Sequence, residues 1–169
     1  MKKQYAQNSP YDSPWSLWQR IKIMVWEYVW LLFCVWTPKP ANLWRLSWLR
    51  LFGCTIYGKP FVHDRSCLGD RANAYTLGIV EIFENATVGQ EVYLCTGTHA
   101  FNNPEMNLIT SKITVHKGVF IGARAFIMPG ITIGENAIVG AGSVVIKNID
   151  RDTVVAGNPA KFIKSRKGE

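Results

Sequence analysis

The 169-residue sequence has only four cysteines and three histidines, and no clean apolar run long enough to span a bilayer. Cys34, Cys54, Cys67 and Cys95 show no C-x-x-C spacing, and Cys67 and Cys95 fall where a small, partly apolar side chain packs. They read as reduced thiols of a reducing compartment, which points to a cytoplasmic protein. The most apolar stretch, residues 15–36, contains Lys22 and Glu27 and so falls short of the roughly 18 uncharged residues that a span needs. Its aromatic density and the lack of a small-residue cleavage site after it exclude a secretory signal. Basic residues are scarce where a nucleic acid would want them. Residues 1–60 carry eight Lys and Arg against two Asp and Glu, residues 61–150 six against eight, and residues 151–169 five against two. The mildly acidic middle excludes a phosphate-tracking face there.

What is present is a repeat. Val119 to Ile149 reads VFIGARAFIMPGITIGENAIVGAGSVVIKNI, with Ile121, Ile127, Ile133, Val139 and Val145 six residues apart. A helix repeats its apolar stripe every three to four residues and a long strand alternates with period two, so neither fits. Cut into sixes, the stretch becomes three-residue pieces reading inward, outward, inward, separated by the turn formers Met128-Pro129-Gly130, Gly134-Glu135-Asn136 and Gly140-Ala141-Gly142. Strands this short must stack on equivalent strands in neighbouring turns of a coil, which is a parallel β-helix. The frame continues backwards through Ile113-Thr114-Val115, Val92-Tyr93-Leu94, Ala86-Thr87-Val88 and Val80-Glu81-Ile82. After a shift of two residues it reaches Ala72-Asn73-Ala74 and Ser66-Cys67-Leu68. The expected fold class is therefore all-β, a hexapeptide-repeat solenoid over residues 54–169 with a Trp-rich helical flank over residues 1–53.

Within that flank the spacing predicts one helix over 15–36, capped by Ser13 with Pro14 at its first position, and a second from Leu43 to Phe52, capped by Asn42 and ended by Gly53. Trp44, Trp48, Leu51 and Phe52 make an apolar face on the second, beside Arg45 and Arg50. Such helices cover the open end of a solenoid, where unpaired strands would otherwise meet water. Trp and basic residues together also suit peripheral contact with an anionic membrane surface, and both uses are expected of the same helices.

The hexads stop between Leu94 and Ile113, where a loop, 95–112, carries His99. An imidazole with a pKa near 6.5 takes a proton from an alcohol at neutral pH, which makes His99 the candidate general base. His63 and His116 read as structural or exposed.

The hexads, the segment Leu94-Cys95-Thr96-Gly97-Thr98-His99 and the ending Val154-Val155-Ala156-Gly157-Asn158-Pro159-Ala160-Lys161 resemble the hexapeptide-repeat acyltransferases, in particular the colanic acid biosynthesis type of polysaccharide O-acetyltransferase. The resemblance covers nearly the whole chain. It implies a left-handed coil of triangular section with about 18 residues per turn, a homotrimer, and acetyl-CoA in the groove between neighbouring subunits. It also implies direct transfer of the acetyl group to a sugar hydroxyl deprotonated by His99, with no metal and no covalent enzyme intermediate. By position, Asn73 and Phe120 match residues at the acceptor and the reacting centre. Gly122, Ala123, Ala141 and Gly142 match the path of the pantetheine arm, and Lys147, Lys161 and Lys164 stand where phosphates would be met. Two departures from that family bear on the acceptor: a coil is missing near His63, and Tyr75-Thr76-Leu77-Gly78 replaces the acidic residues of the galactoside and maltose enzymes. Tyr75 and its neighbours therefore favour a lipid-linked or nucleotide-linked glycan over a free sugar.

Two other readings use the same coil. A γ-class carbonic anhydrase would need three histidines; His63 and His99 are suitably separated, but Pro104 stands where a third is wanted. A catalytically silent scaffold has only the Trp-rich flank in its favour.

Overall fold

The computed structural model describes residues 2–5, 15–68, 78–102 and 104–166. The hexads build a three-sided coil. Strand β1 (Lys2–Tyr5) stands apart from it, and the first coil comprises β2 (Thr55–Ile56), β3 (Phe61–Val62) and β4 (Cys67–Leu68). The second comprises β5 (Val80–Ile82), β6 (Thr87–Val88) and β7 (Tyr93–Leu94). A hairpin of β8 (Gly97–His99) and β9 (Leu108–Ser111) interrupts before the third coil, β10 (Ile113–Val115), β11 (Phe120–Ile121) and β12 (Phe126–Ile127). The fourth comprises β13 (Thr132–Ile133), β14 (Ile138–Val139) and β15 (Val144–Val145), and β16 (Thr153–Ala156) with β17 (Lys161–Ser165) finishes the stack.

Three parallel sheets result, visited in rotation. The first side is β2-β5-β10-β13, the second β3-β6-β11-β14-β16, and the third β4-β7-β12-β15. Thr114 pairs with Thr132, Phe120 with Ile138 and Phe126 with Val144, so one turn takes 18 residues where the repeat is uninterrupted. The chain turns through a first corner from side one to side two, a second from two to three, and a third from three back to one. The two-residue strands of the third and fourth coils each place one aliphatic side chain inside: Ile121, Ile127, Ile133 and Val139 have no exposed area. Outward residues stack too, the Tyr93 and Phe126 rings lying 4.8 Å apart, the spacing of neighbouring strands.

The corners need a residue with positive φ, and glycine is not the sole supplier. Asn85 and Asn136 take this conformation at the first corner, and Glu91 and Arg124 at the second. The first coil, legible in the sequence only at Cys67-Leu68, begins earlier: Ile56, Val62 and Leu68 are also six apart, and each strand of that coil pairs in parallel with the second. The stack is thus continuous through His63. The hexad Ala72-Asn73-Ala74 lies outside the described residues.

The helices differ from expectation in their caps. Helix α1 spans Leu17–Phe33 and starts at Ser16, not Ser13. Ser16 Oγ accepts the Gln19 N–H and Gln19 Oε1 accepts the Ser16 N–H at 2.7 Å, a reciprocal box that Ser13 cannot form because residue 16, three further on, is a serine. Helix α2 spans Asn42–Leu51 with no side-chain cap. The Asn42 amide instead donates to Pro60 O at 2.8 Å and accepts from Val62 N at 3.0 Å, tying the helix to the first coil.

The face α2 buries is only in part the predicted one: Phe52 is buried and Trp48 partly so. Trp44 and Leu51 are exposed, whereas Arg45, Leu46 and Leu49 have no exposed area. Arg45 is buried because carbonyls surround it: Nε donates to Val62 O at 2.9 Å, Nη1 to Pro38 O at 3.0 Å and to Thr37 Oγ1 at 2.8 Å, and Nη2 to Lys39 O at 3.2 Å. Burial pulls its pKa down, opposed by the charges of Asp64 and Cys34. Leu46, Leu49 and Phe52 join Ile23 and Trp26 of α1 and Val62 and Ile82 of the coil in one apolar cluster, so the helices do close the open end.

Candidate active site

The interruption read as a loop is a structured hairpin. Gly97 pairs with Thr110, Thr98 with Ile109 and His99 with Leu108, antiparallel, and β1 adds to the far edge of β9 with Tyr5 opposite Leu108. The Ser111 N–H donates to Thr96 O, closing the base of the hairpin onto the third corner. His99 therefore sits on a sheet rather than on a loose excursion.

Its ring is oriented by the backbone. Met106 takes a positive φ of 48° in the turn, and its carbonyl oxygen lies 2.6 Å from His99 Nδ1. A carbonyl can only accept, so Nδ1 carries the hydrogen, and the neutral imidazole keeps its lone pair on Nε2. That tautomer is the one a base needs if the proton to be removed approaches Nε2. No feature of the sequence marks Met106, because a backbone oxygen does this.

A second feature runs along the second corner. A pocket of about 480 Å³ is lined by Gln90 and Glu91 of the second coil, Ala123 and Arg124 of the third, and Ala141 and Gly142 of the fourth. The Arg124 Nε donates to Glu91 Oε2 at 2.8 Å, and this bond, then the guanidinium charge, holds the Glu91 carboxyl below its ordinary pKa. Three of the four residues expected along the pantetheine path, Ala123, Ala141 and Gly142, line this pocket. Gly122 does not. A Cβ there would stand 2.6 Å from Ala141 N, so coil stacking by itself requires its smallness. Gln90, Glu91 and Arg124 were missed by reading the sequence, although Glu91 and Arg124 occupy equivalent corner positions in successive coils.

The remaining predicted residues are dispersed. Phe120 is half exposed on the outer face of side two, between Thr87 and Ile138. Lys161 lies opposite Ala156, near the second corner, Lys164 opposite Val154 at the other end of the same strand pair, and Lys147 follows β15 at the third corner. The three lysines thus occupy three different parts of the surface. Asn73 and Tyr75 lie outside the described residues.

His63 is buried at the second corner of the first coil, its Nδ1 2.6 Å from Asp64 Oδ1. His116 stacks on Phe83 at 5.2 Å, and Phe83 on Tyr57 at 4.5 Å, an outer ladder of rings. Cys34, Cys54 and Cys95 are free thiols. Among the described residues, no group of three or more His, Cys, Asp or Glu is placed to hold a metal ion.

Within one chain His99 and the pocket are on different corners, with the third side between them. Residues 112–147 match the family model described as bacterial transferase hexapeptide (six repeats). The chain is 33% identical over 161 residues to WcaF of Escherichia coli K12, named as a colanic acid biosynthesis acetyltransferase, covering 86% of this chain and 88% of that one. It is 37% identical over 90 residues to the galactoside O-acetyltransferase of the same organism, covering 50% and 43%. The fold is shared with a hexapeptide-repeat acetyltransferase of Vibrio cholerae O1 biovar eltor solved with acetyl coenzyme A, at a TM-score of 0.66 and 22% identity over 89% of this chain and 88% of that one.

Proposed function

Because the chain belongs to the hexapeptide-repeat acetyltransferases, we propose that it moves an acetyl group from acetyl-CoA to a hydroxyl of a glycan acceptor, with His99 as general base. The observation that carries this reading is the 2.6 Å contact from Nδ1 to the Met106 carbonyl, which leaves Nε2 as the basic atom. Nε2 takes the proton of the acceptor hydroxyl as its oxygen attacks the thioester carbonyl carbon. When the tetrahedral centre collapses, the C–S bond breaks and the imidazolium returns the proton to the departing thiolate, so His99 ends as it began. Holding both substrates in line supplies much of the rate without any covalent enzyme intermediate.

The second-corner pocket takes the pantetheine arm, where Ala123, Ala141 and Gly142 let it approach the backbone. The coil is left-handed and three copies associate. In that arrangement the hairpin on the third corner of one copy meets the second-corner pocket of its neighbour, which resolves the separation seen within one chain. Lys161, beside the same corner, is the best placed of the three lysines to meet phosphate, with Lys147 and Lys164 further round the coil. Phe120, Asn73 and Tyr75 belong to the acceptor side. The acceptor class is a lipid-linked or nucleotide-linked glycan, and the protein works in the cytoplasm.

Release of free CoA with a panel of glycan acceptors tests this. His99→Ala is expected to lower kcat by about 10² to 10⁴ with little change in KM for acetyl-CoA. A variant within about tenfold of the wild type would remove His99 from the mechanism.

A further inference from the structure

Helix α1 carries two apolar stripes on opposite faces. Ile23, Trp26 and Trp30 face the coil, the first two buried and Trp30 partly so. Leu17, Met24, Val25, Tyr28 and Leu32 recur at helical spacing on the other side and are exposed, Leu17 at 69% and Leu32 at 62%. Trp18 stands beside them at 79%. A helix apolar all round is ordinarily enclosed, and a contiguous exposed patch of this kind marks an interaction surface.

Charge decides what covers it. Over residues 15–60 the exposed charged side chains are Arg20, Lys22, Lys39, Arg50 and Lys59 against Glu27 alone. A second copy of the same face would bring Arg20 and Lys22, which flank the stripe on α1 itself, against their own copies, and that repulsion disfavours self-association. An anionic surface would be attracted by them. No helix among the described residues is long and apolar enough to cross a membrane, and Arg20, Lys22 and Glu27 interrupt α1, so a surface position is the one available. Trp and Tyr rings sit favourably at headgroup level, and the stems of Arg20 and Lys22 reach from the flanks of the stripe to lipid phosphates.

We infer that the outward face of α1 lies in the headgroup region of an anionic phospholipid bilayer, with its axis along the surface for about 25 Å. The inner stripe meanwhile holds the coil end, so one helix does both tasks. This surface is distinct from the acetyl-transfer site and does not depend on it.

The test is co-sedimentation of the full-length protein with vesicles of phosphatidylglycerol and phosphatidylethanolamine, compared with phosphatidylcholine alone. Binding to the anionic vesicles is expected, weakened by salt. Val25→Gln with Leu32→Gln should lower the affinity about tenfold, as should Trp18→Gln, a second variant at a fully outward position. Arg20→Glu with Lys22→Glu should abolish the preference for anionic lipid. Absence of wild-type binding to anionic vesicles, or wild-type affinity in all three variants, overturns the inference. So does a lower assembly mass of the Val25/Leu32 variant by light scattering without vesicles, which would make the face a contact between copies.

Discussion

Gly122 and Gly142 lie on the same corner, and the coil predicts opposite consequences for the same change at each. In Gly122→Ala the new methyl would stand 2.6 Å from Ala141 N and 3.0 Å from Ala141 Cα, both backbone atoms of the next coil. Relief requires the coils to part by about 1 Å. The bonds that hold them there are Gly122 N to Val139 O and Gly142 N to Ala123 O, each 2.8 Å. Overpacking costs about 1 to 3 kcal/mol, and weakening these bonds adds about 1 kcal/mol, so a loss of about 2 to 4 kcal/mol is expected. In Gly142→Ala nothing lies within 4 Å of the added carbon, and the cost is that of a left-handed φ of 67°. Arg124 holds φ 61° and Glu91 φ 54° at the equivalent corner positions, so this penalty is about 1 kcal/mol. Urea unfolding followed by tryptophan fluorescence, at one protein concentration because association contributes, measures both. If Gly142→Ala proves as damaging as Gly122→Ala, close approach of the coils is not what fixes glycine at 122.

Two further predictions concern the helical cap. Arg45→Met leaves the Val62, Pro38 and Lys39 carbonyls without their donor and should cost about 3 kcal/mol; a loss under about 1 kcal/mol by thermal unfolding would mean the carbonyls find water. Burial raises the thiols of Cys34 and Cys54 from 9.0 to about 12. In the folded protein neither should react with a disulfide reagent at pH 8, whereas both should after unfolding. Because the unfolded thiols ionise first, stability should be intact below pH 9 and fall as pH rises from 9 towards 12; a flat profile across that window refutes the assignment.

The hexads were legible because each places an aliphatic side chain inside at a fixed interval, and Ile121 to Val145 are buried as that interval requires. The first coil was less legible, since of its three strands only Cys67-Leu68 falls in a hexad that the repeat frame reached. His99 stood out as a histidine where the repeat breaks. The atom that orients it did not, and could not, because a carbonyl has no residue signature. Arg45 shows the reverse failure. The sequence places it beside an apolar face, yet it is fully buried, and five acceptors from the turn before α2 and from the first coil surround it.

The register explains why a broken repeat still folds. Phe126 pairs with Val144 after 18 residues, but Tyr93 pairs with Phe126 after 33, and Cys67 with Tyr93 after 26. In sequence each surplus falls between the last strand of one coil and the first of the next, on the side of the third corner, so every strand still meets its partner on the correct side. A corner has no ladder bonds to lose, whereas the same insertion within a strand would turn its aliphatic residue outward. The hairpin that carries His99 is one such surplus. Its position on a corner is what allows an element carrying a candidate base to be added to the coil without cost to the stack, and β7 and β10 on either side anchor that element at both ends.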